Sequence, residues 1–257
     1  EFIKIPSQRL FAIEDIIDSN QVSFLPSILT APISPSFKIR AIKSLWPQTV
    51  EDVENMNLLN IIDEVILDRP CNIKTYGNLI KTNKLKDLFE SLFSTDFSIC
   101  YQALQKIISY KSNEIWPFLL QYLDAAKKDY GALHFFILLF SLKSKWPADA
   151  LIQITYTLEF ALGENWPDFM KFRPLAIIVL INLKPNYSDK YLSKWLDQKF
   201  TPYWLNRYAA LMAIGKKFAS DKKNKNKYIK VIQLVEEDDD LFVSLKAGKL
   251  KEFIDSY

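Results

Sequence analysis

Apolar residues recur at three- and four-residue spacing along the whole chain, whereas strict alternation of apolar and polar positions is nearly absent. The first pattern is typical of amphipathic helices and the second of strands. Only 5 glycines interrupt the 257 residues, so few positions are suited to sharp turns. The sequence therefore predicts an all-α fold.

The predicted helices are joined by short polar or proline-containing segments. They lie near Ser7–Ser19, Val22–Thr30, Ser36–Trp46, Val50–Leu67, Asn72–Lys81, Leu85–Ser94, Phe97–Tyr110, Glu114–Lys127, Tyr130–Lys145, Ala148–Leu162, Pro167–Leu183, Ser188–Phe200, Pro202–Ala219, Asn226–Glu236 and Gly248–Ser256.

A Trp-Pro pair recurs along the chain. A residue before proline is pushed out of the α region, while proline itself is well suited to the first turn of a helix. Each pair is therefore predicted to end one helix and begin the next, with the indole packed at the joint. The pairs are Trp46-Pro47, Trp116-Pro117, Trp146-Pro147 and Trp166-Pro167.

Helix pairs that recur every 30 to 45 residues or so indicate a repeat protein in which each pair covers the apolar face of its neighbour. The segments PSFKIRAIKSLW (35–46) and PYWLNRYAALMAI (202–214) share an initial proline, an aromatic residue, an arginine and an apolar stripe. We predict an α-α superhelical solenoid of HEAT-like repeats over residues 1–220. Residues 221–257 would form a solvated linker, DKKNKNK, and a C-terminal helical cap of the same domain.

Composition narrows the class of protein. The formal net charge is +3, too even to indicate a nucleic-acid or membrane-surface protein. No apolar run approaches the roughly 18 residues of a membrane span, so we expect no membrane insertion. The 2 cysteines, Cys71 and Cys100, lack metal-site spacing and favour a reducing cytoplasm. Because the sequence begins at Glu1 without an initiator Met, we expect a segment to precede it.

The motifs of the common enzyme classes are missing. The chain contains no phosphate-binding glycine loop, no dinucleotide fingerprint and no GxSxG sequence, and His134 is its 1 histidine. That residue lies in DYGALHFFILLF, a setting that favours a hydrogen-bonded histidine on a buried helix.

Solenoids usually bind through their concave face, which the inner helices line. Arginine is informative because its guanidinium binds a carboxylate in a bidentate fork, although such arginines can equally tie repeats together. The candidates on the inner helices are polar or aromatic, namely Lys38, Arg40, Asp129, Tyr130, His134, Arg173, Tyr203, Trp204, Arg207 and Tyr208.

The segment AIEDIIDSNQVSFLPSILTAPISPSFKIRAIKSLW (12–46) has an acidic helix, a short helix ending in Ala-Pro-Ile-Ser, and a basic helix containing Arg-Ala. This order resembles the HEAT-repeat phycobilin lyases of the E/F type, especially the larger single-chain members that act on phycoerythrin. DYGALHFF (129–136) resembles a later Tyr-Gly segment of the same group.

The resemblance implies a bilin lyase that attaches a linear tetrapyrrole through a thioether to a cysteine of a phycobiliprotein subunit. The bilin is then a substrate, with no tightly bound cofactor, and a second lyase subunit is left open. As a hypothesis, Asp129 binds the pyrrole N–H groups, Tyr130 donates a proton, and Arg173 and Arg207 pair with the propionates. The remaining contacts to the bilin are expected from Arg40, His134, Tyr203, Trp204 and Tyr208.

Two other functions remain open from the sequence. A non-catalytic HEAT scaffold or chaperone would use the same concave face to bind a protein partner. A HEAT-like glycosylase for alkylated DNA bases is suggested by SKWLDQKFTPYWLNRYAALMAI (193–214), but the lysines are interspersed with acids and form no basic face for nucleic acid.

Overall fold

A computed structural model describes residues 1–46, 57–143, 145–163, 173–183, 192–220 and 222–257. Within these ranges all regular structure is helical and no strand occurs, which confirms the predicted all-α class. The HEAT-like solenoid stays a prediction.

The α-helices follow the apolar periodicity of the sequence. They are α1 Arg9–Asp18, α2 Leu25–Leu29, α3 Pro35–Leu45, α4 Leu58–Leu67, α5 Leu85–Ser91, α6 Phe97–Ile107, α7 Ser112–Ala126, α8 Tyr130–Leu142, α9 Ala148–Ala161, α10 Pro174–Leu183, α11 Trp204–Ser220, α12 Lys225–Ile232 and α13 Leu241–Asp255. Residues 192–196 are also helical. Short 3-10 helices lie at Phe2–Lys4, Val22–Phe24, Pro70–Asn72, Lys222–Asn224 and Gln233–Val235.

The chain divides into two compact units. Unit 1 comprises Glu1–Gln48 and Glu64–Leu151, and unit 2 comprises Thr49–Asp63 and Ile152–Tyr257. Two of the three boundaries, at 63/64 and 151/152, fall inside α4 and α9. The predicted arrangement, with one solenoid over 1–220 and a cap over 221–257, is a different division and stays a prediction.

In unit 1 the core is built around α8, whose sequence YGALHFFILLFSL is apolar on nearly every face. Asp129 caps this helix, because its Oδ1 accepts a hydrogen bond from the Ala132 N–H at 2.9 Å. Phe135 packs edge-to-face on Phe97 and Tyr101, with ring centroids 4.9 and 5.0 Å apart. Helices α6 and α8 are thereby held together by aromatic contacts.

In unit 2 the equally apolar α10, PLAIIVLINL, packs against α11, which in turn packs against α13. Asp240 begins α13 by accepting a hydrogen bond from the Phe242 N–H at 3.1 Å. The helix therefore starts well before the predicted Gly248, which lies inside it. The capping aspartate was a better start signal than the glycine.

The predicted helix Asn72–Lys81 is wrong beyond the 3-10 turn that ends at Asn72. Side chains of α6 bind the backbone of this segment instead. The Tyr76 N–H donates to Ser98 Oγ at 2.5 Å, and the Ile80 N–H donates to Gln102 Oε1 at 3.0 Å. Gly77 lies between them with φ +83°, a left-handed conformation that suits glycine. The backbone groups are thus satisfied without a helix.

The Trp-Pro pairs do not share one role. Trp46 ends α3 in an extended conformation, as predicted, and Trp146-Pro147 directly precedes α9. The prediction is wrong for Trp116-Pro117, because Pro117 lies inside α7. Trp116 packs edge-to-face on Trp146 at 6.2 Å and donates its indole N–H to Asp149 at 3.2 Å. Pro47 and the whole Trp166-Pro167 pair lie outside the described residues.

Candidate functional site

Asp68 follows the last residue of α4 and has an unusual backbone for its position. Its φ is +44°, in the left-handed region, and its N–H donates to the Glu64 carbonyl at 3.0 Å. Helices often end in this conformation, but the residue there is normally glycine or asparagine. A strained aspartate with a side chain 0% exposed is a reason to look for function.

Three polar side chains from three helices converge on the Asp68 carboxylate. Lys38 Nζ of α3 lies 3.4 Å from Oδ1. The Tyr101 hydroxyl of α6 donates to Oδ2 at 2.5 Å, and His134 Nε2 of α8 lies 2.8 Å from the same oxygen. Lys38, Asp68, Tyr101 and His134 are called the Asp68 cluster below.

The cluster holds Asp68 as an anion. Burial would raise the pKa of Asp68, but Lys38, His134 and Tyr101 outweigh it, and the pKa lies below its ordinary value of 3.8. Burial lowers the pKa of Lys38, with Asp68 opposing the change. Burial, followed by the Asp68 charge, raises the pKa of Tyr101 well above 10.0, so its hydroxyl remains a donor.

His134 lies at the edge of the cluster. Its side chain is 13% exposed, whereas those of Lys38 and Asp68 are 1% and 0% exposed. Because Asp68 can only accept, Nε2 carries the proton of this hydrogen bond, which leaves Nδ1 as the acceptor of the neutral ring. Nδ1 makes no hydrogen bond to the described residues and is not one of their buried unpartnered atoms. It is therefore open to solvent.

The other predicted site residues of unit 1 lie close in sequence to members of this cluster. Tyr130 is half-buried and lies one turn before His134 on the same side of α8. Asp129 is exposed, and its Oδ1 already accepts the hydrogen bond that caps α8. Arg40 of α3 is half exposed and pairs with Glu14 at 3.2 Å. The predicted roles of these residues stay predictions.

In unit 2, Arg207 is buried and bonded in a bidentate fork to Asp238, with both N–O distances 2.7 Å. Its remaining terminal nitrogen, Nη1, donates to the carbonyls of Thr201 and Pro202 at 2.7 and 3.0 Å. A bilin propionate would have to displace Asp238 to bind this guanidinium. The contact between Arg207 and a propionate stays a prediction, and Asp238 is the group that would compete with the propionate for the guanidinium.

Tyr208 is also buried in unit 2. Its hydroxyl contacts the Leu59 carbonyl at 3.0 Å and Asp63 Oδ1 at 2.8 Å. Burial, followed by Asp63, raises its pKa well above 10.0. Lys246 Nζ lies 2.6 Å from the other oxygen of Asp63 and 5.3 Å from the Tyr208 ring. These contacts tie α4, α11 and α13 together.

The remaining predicted residues of unit 2 differ in exposure. Trp204 is half-buried and packs on Tyr208 and Phe242, with ring centroids 6.2 and 5.6 Å apart. Tyr203 is half-buried. Arg173 is buried, and its backbone N–H donates to Asn206 Oδ1 at 3.3 Å.

Sequence reasoning singled out His134 and Lys38 but missed Asp68 and Tyr101. The sequence LDRPC gives Asp68 the look of a surface residue in a turn. The one local signal was the proline two positions later, which disfavours helix at Arg69 and so indicates a helix end near Asp68. Tyr101 carried no signal beyond its place on an apolar helix.

The described residues contain no group of three or more His, Cys, Asp or Glu side chains that could hold a metal ion. Among the helices of the described ranges, none has the length and apolar character needed to cross a membrane. Cys71 is exposed and Cys100 is buried, and both are free thiols. Burial raises the pKa of the Cys100 thiol to about 12.

Comparison with known proteins gave two curated relatives. The chain is 31% identical over 246 residues to a bilin biosynthesis protein, CpeY, of Synechococcus sp. strain WH8020, a match that covers 95% of this chain and 58% of that protein. It is 27% identical over 242 residues to an uncharacterized phycocyanin operon protein Y of Pseudanabaena tenuis strain PCC 7409, covering 93% of this chain and 53% of that protein. No family model and no solved structure matches.

The chain thus spans just over half the length of the curated relatives it matches. The similarity extends far beyond residues 12–46 and 129–136, which carry the resemblance to the phycobilin lyases. Nearly the whole chain is similar to a protein of bilin biosynthesis, and the resemblance stated from the sequence is confirmed.

Proposed function

We propose that this chain is a phycobilin lyase, which binds a linear tetrapyrrole and attaches it through a thioether to a cysteine of a phycobiliprotein subunit. The observation that carries the proposal is the 31% identity to a bilin biosynthesis protein over 95% of the chain. The bilin enters as a substrate rather than as a resident cofactor. The reaction belongs in the reducing cytoplasm, where the acceptor thiol stays free.

The proposed reaction takes its nucleophile from the acceptor subunit. A thiol adds to a carbon–carbon double bond of the bilin, so the lyase has to place the two reactants together and manage a proton. Cys100 is unsuited to carry the bilin covalently, because it is buried and its pKa of about 12 keeps the thiol protonated at neutral pH.

The predicted arginines differ in how readily they could bind a propionate. The Arg40 side chain is 51% exposed, and that of Glu14, its ion-pair partner among the described residues, is 42% exposed. Such surface ion pairs contribute about 0 to 1 kcal/mol and are easily exchanged. Breaking the buried Arg207–Asp238 pair would cost about 3 to 5 kcal/mol. We therefore favour Arg40 over Arg207 as a first propionate contact.

Co-expression tests the proposal. The chain is produced with a bilin-synthesising pathway and individual phycobiliprotein subunits, and the denatured subunits are examined for zinc-enhanced fluorescence on a gel. A subunit that becomes covalently coloured only in the presence of the chain supports the lyase. Failure to colour any subunit, alone or with a second lyase subunit, overturns it. Binding of an apo-subunit without colouring would instead support a scaffold or chaperone.

A further inference from the structure

The Asp68 cluster is costly for the fold. Ion pairs removed from water gain little net stability, and a left-handed conformation is unfavourable for most residues other than glycine. Asp68 carries both costs, with its side chain 0% exposed and φ +44°. Replacing a buried ion pair by apolar residues of similar volume is often neutral or stabilising. Stability alone is therefore a weak explanation of the arrangement.

Of the four side chains in the cluster, that of His134 is the most exposed to solvent. Lys38 neutralises Oδ1 of Asp68 from one side, and Tyr101 and His134 occupy Oδ2 from the other. A carboxylate held in this way fixes the orientation and tautomer of the ring, in the same manner as an aspartate behind a catalytic histidine.

We propose that His134 is the proton-transfer residue of the bilin attachment and that Asp68 is the residue that positions it. This inference rests on the proposed lyase function and adds to it a group that handles the proton. Lys38 and Tyr101 contribute indirectly, because they bind the Asp68 carboxylate and do not bind the imidazole ring.

The step balances with one histidine. Nδ1 of His134 takes the proton from the acceptor cysteine, and the sulfur forms a bond to one carbon of a bilin double bond. The π bond breaks and its electron pair moves to the conjugated system. The imidazolium then returns the proton to the bilin carbon. One S–H and one C=C become one C–S and one C–H, so neither an oxidant nor a leaving group is needed.

Among the described residues, the titratable groups bonded to His134 directly or through Asp68 are those of the cluster. Asp68 contacts Nε2 directly, and Lys38 and Tyr101 contact Asp68 from α3 and α6. On its own helix, Tyr130 lies one turn before His134. These four residues are therefore the groups whose replacement should alter the behaviour of the ring.

The chain contains 1 histidine, so the ring can be observed directly by NMR. In untagged protein labelled at the imidazole, the nitrogen shifts should report a proton on Nε2. Adding phycoerythrobilin should shift these resonances, and Asp68→Asn should mix the tautomers. A ring that stays unchanged while the bilin spectrum shows binding would overturn the proposal, and so would a tautomer with its proton on Nδ1 rather than Nε2.

Kinetics test the role itself, with His134→Gln as the main variant. The glutamine amide can still donate to Asp68, but it cannot transfer a proton. Its maximal attachment rate should fall about 10²- to 10⁴-fold, which is the usual contribution of general acid–base catalysis, with little change in KM for the bilin. Ser141→Ala serves as the control, because Ser141 is exposed and lies seven residues further along α8.

Asp68→Asn separates positioning from folding. Its attachment rate should fall, and the pH profile of attachment should differ from that of the wild type, under conditions in which circular dichroism shows a folded chain. His134→Gln with wild-type rate and an unchanged pH profile overturns this inference alone. If the wild-type chain colours no subunit, the proposed function fails instead, and the two failures are thereby distinguished.

Discussion

Replacing Asp68 by Asn removes one negative charge and little else. Asparagine is tolerated in the left-handed conformation at a helix end, so the backbone at φ +44° is retained. The side chains of Lys38 and Asp68 are 1% and 0% exposed, and the substitution leaves a buried ammonium without its counter-ion.

The cost can be bounded in two ways. Removing one partner of a buried ion pair typically costs about 3 to 5 kcal/mol. Lys38 could instead lose its proton, which from an ordinary pKa of 10.5 costs about 5 kcal/mol at pH 7, at 1.36 kcal/mol per pH unit. With a urea m-value of about 2 kcal/mol per M, the midpoint for unit 1 should fall by about 2 M.

The assay is urea unfolding of a set of matched variants. Asp68→Asn and Lys38→Met should each destabilise the chain strongly, whereas the double variant should recover most of the loss because both charges are gone. Glu14→Gln, at the exposed pair with Arg40, should cost less than about 1 kcal/mol. The reasoning fails if Asp68→Asn costs no more than Glu14→Gln, or if the two cluster variants simply add.

The contribution of Asp68 to the free energy of unfolding should depend on pH. The folded-state pKa of Asp68 is depressed below 3.8, so the carboxylate contributes stability that is fully present above about pH 4. That contribution is lost as the pH falls through the folded-state pKa, since protonated Asp68 then resembles asparagine in charge. The difference in unfolding free energy between wild type and Asp68→Asn should therefore shrink below pH 4. A constant difference from pH 7 to pH 3 would contradict this assignment.

Three further predictions concern single side chains. Iodoacetamide should modify only Cys71 in the native chain, with Cys100 reacting after unfolding, because the first is exposed and the second is buried with a pKa of about 12; mass spectrometry of two native adducts would refute this. Asp129→Ala should lower stability by about 0.5 to 2 kcal/mol through loss of the α8 cap, while Asp129→Asn should cost only a few tenths. If Asp129→Asn keeps its stability but loses bilin attachment, the predicted catalytic role is supported over capping alone. Arg207→Met should destabilise unit 2 by about 3 to 5 kcal/mol, with Arg207→Lys in between, because lysine cannot form the bidentate pair with Asp238. Hydrogen exchange of α11 amides at the wild-type rate in Arg207→Met would contradict that expectation.

The helices were largely determined by local sequence. Helices α8 and α10 are apolar on nearly every face, and Asp129 and Asp240 supply caps at the starts of α8 and α13. Such signals act over a few residues, so they can be recognised without knowing the fold.

Local sequence failed where a distant element supplied the partner. Residues 73–81 have a composition compatible with a helix, but Ser98 and Gln102 of α6 bind their backbone in a non-helical form. Pro117 should have marked a helix start by its local preference, yet it lies inside α7, where Trp116 packs on Trp146. In both cases tertiary contacts outweighed the intrinsic preference of the segment.

For the candidate site too, some features followed from the sequence and others only from the tertiary structure. The sequence by itself determined that the chain is helical, that His134 is its 1 histidine and that no common catalytic motif is present. Only the tertiary structure decided that Asp68 is buried and bonded to residues 30, 33 and 66 positions away. The physical reason is that a carboxylate is buried as an anion only where other side chains supply a cation and donors, and those side chains come from separate helices.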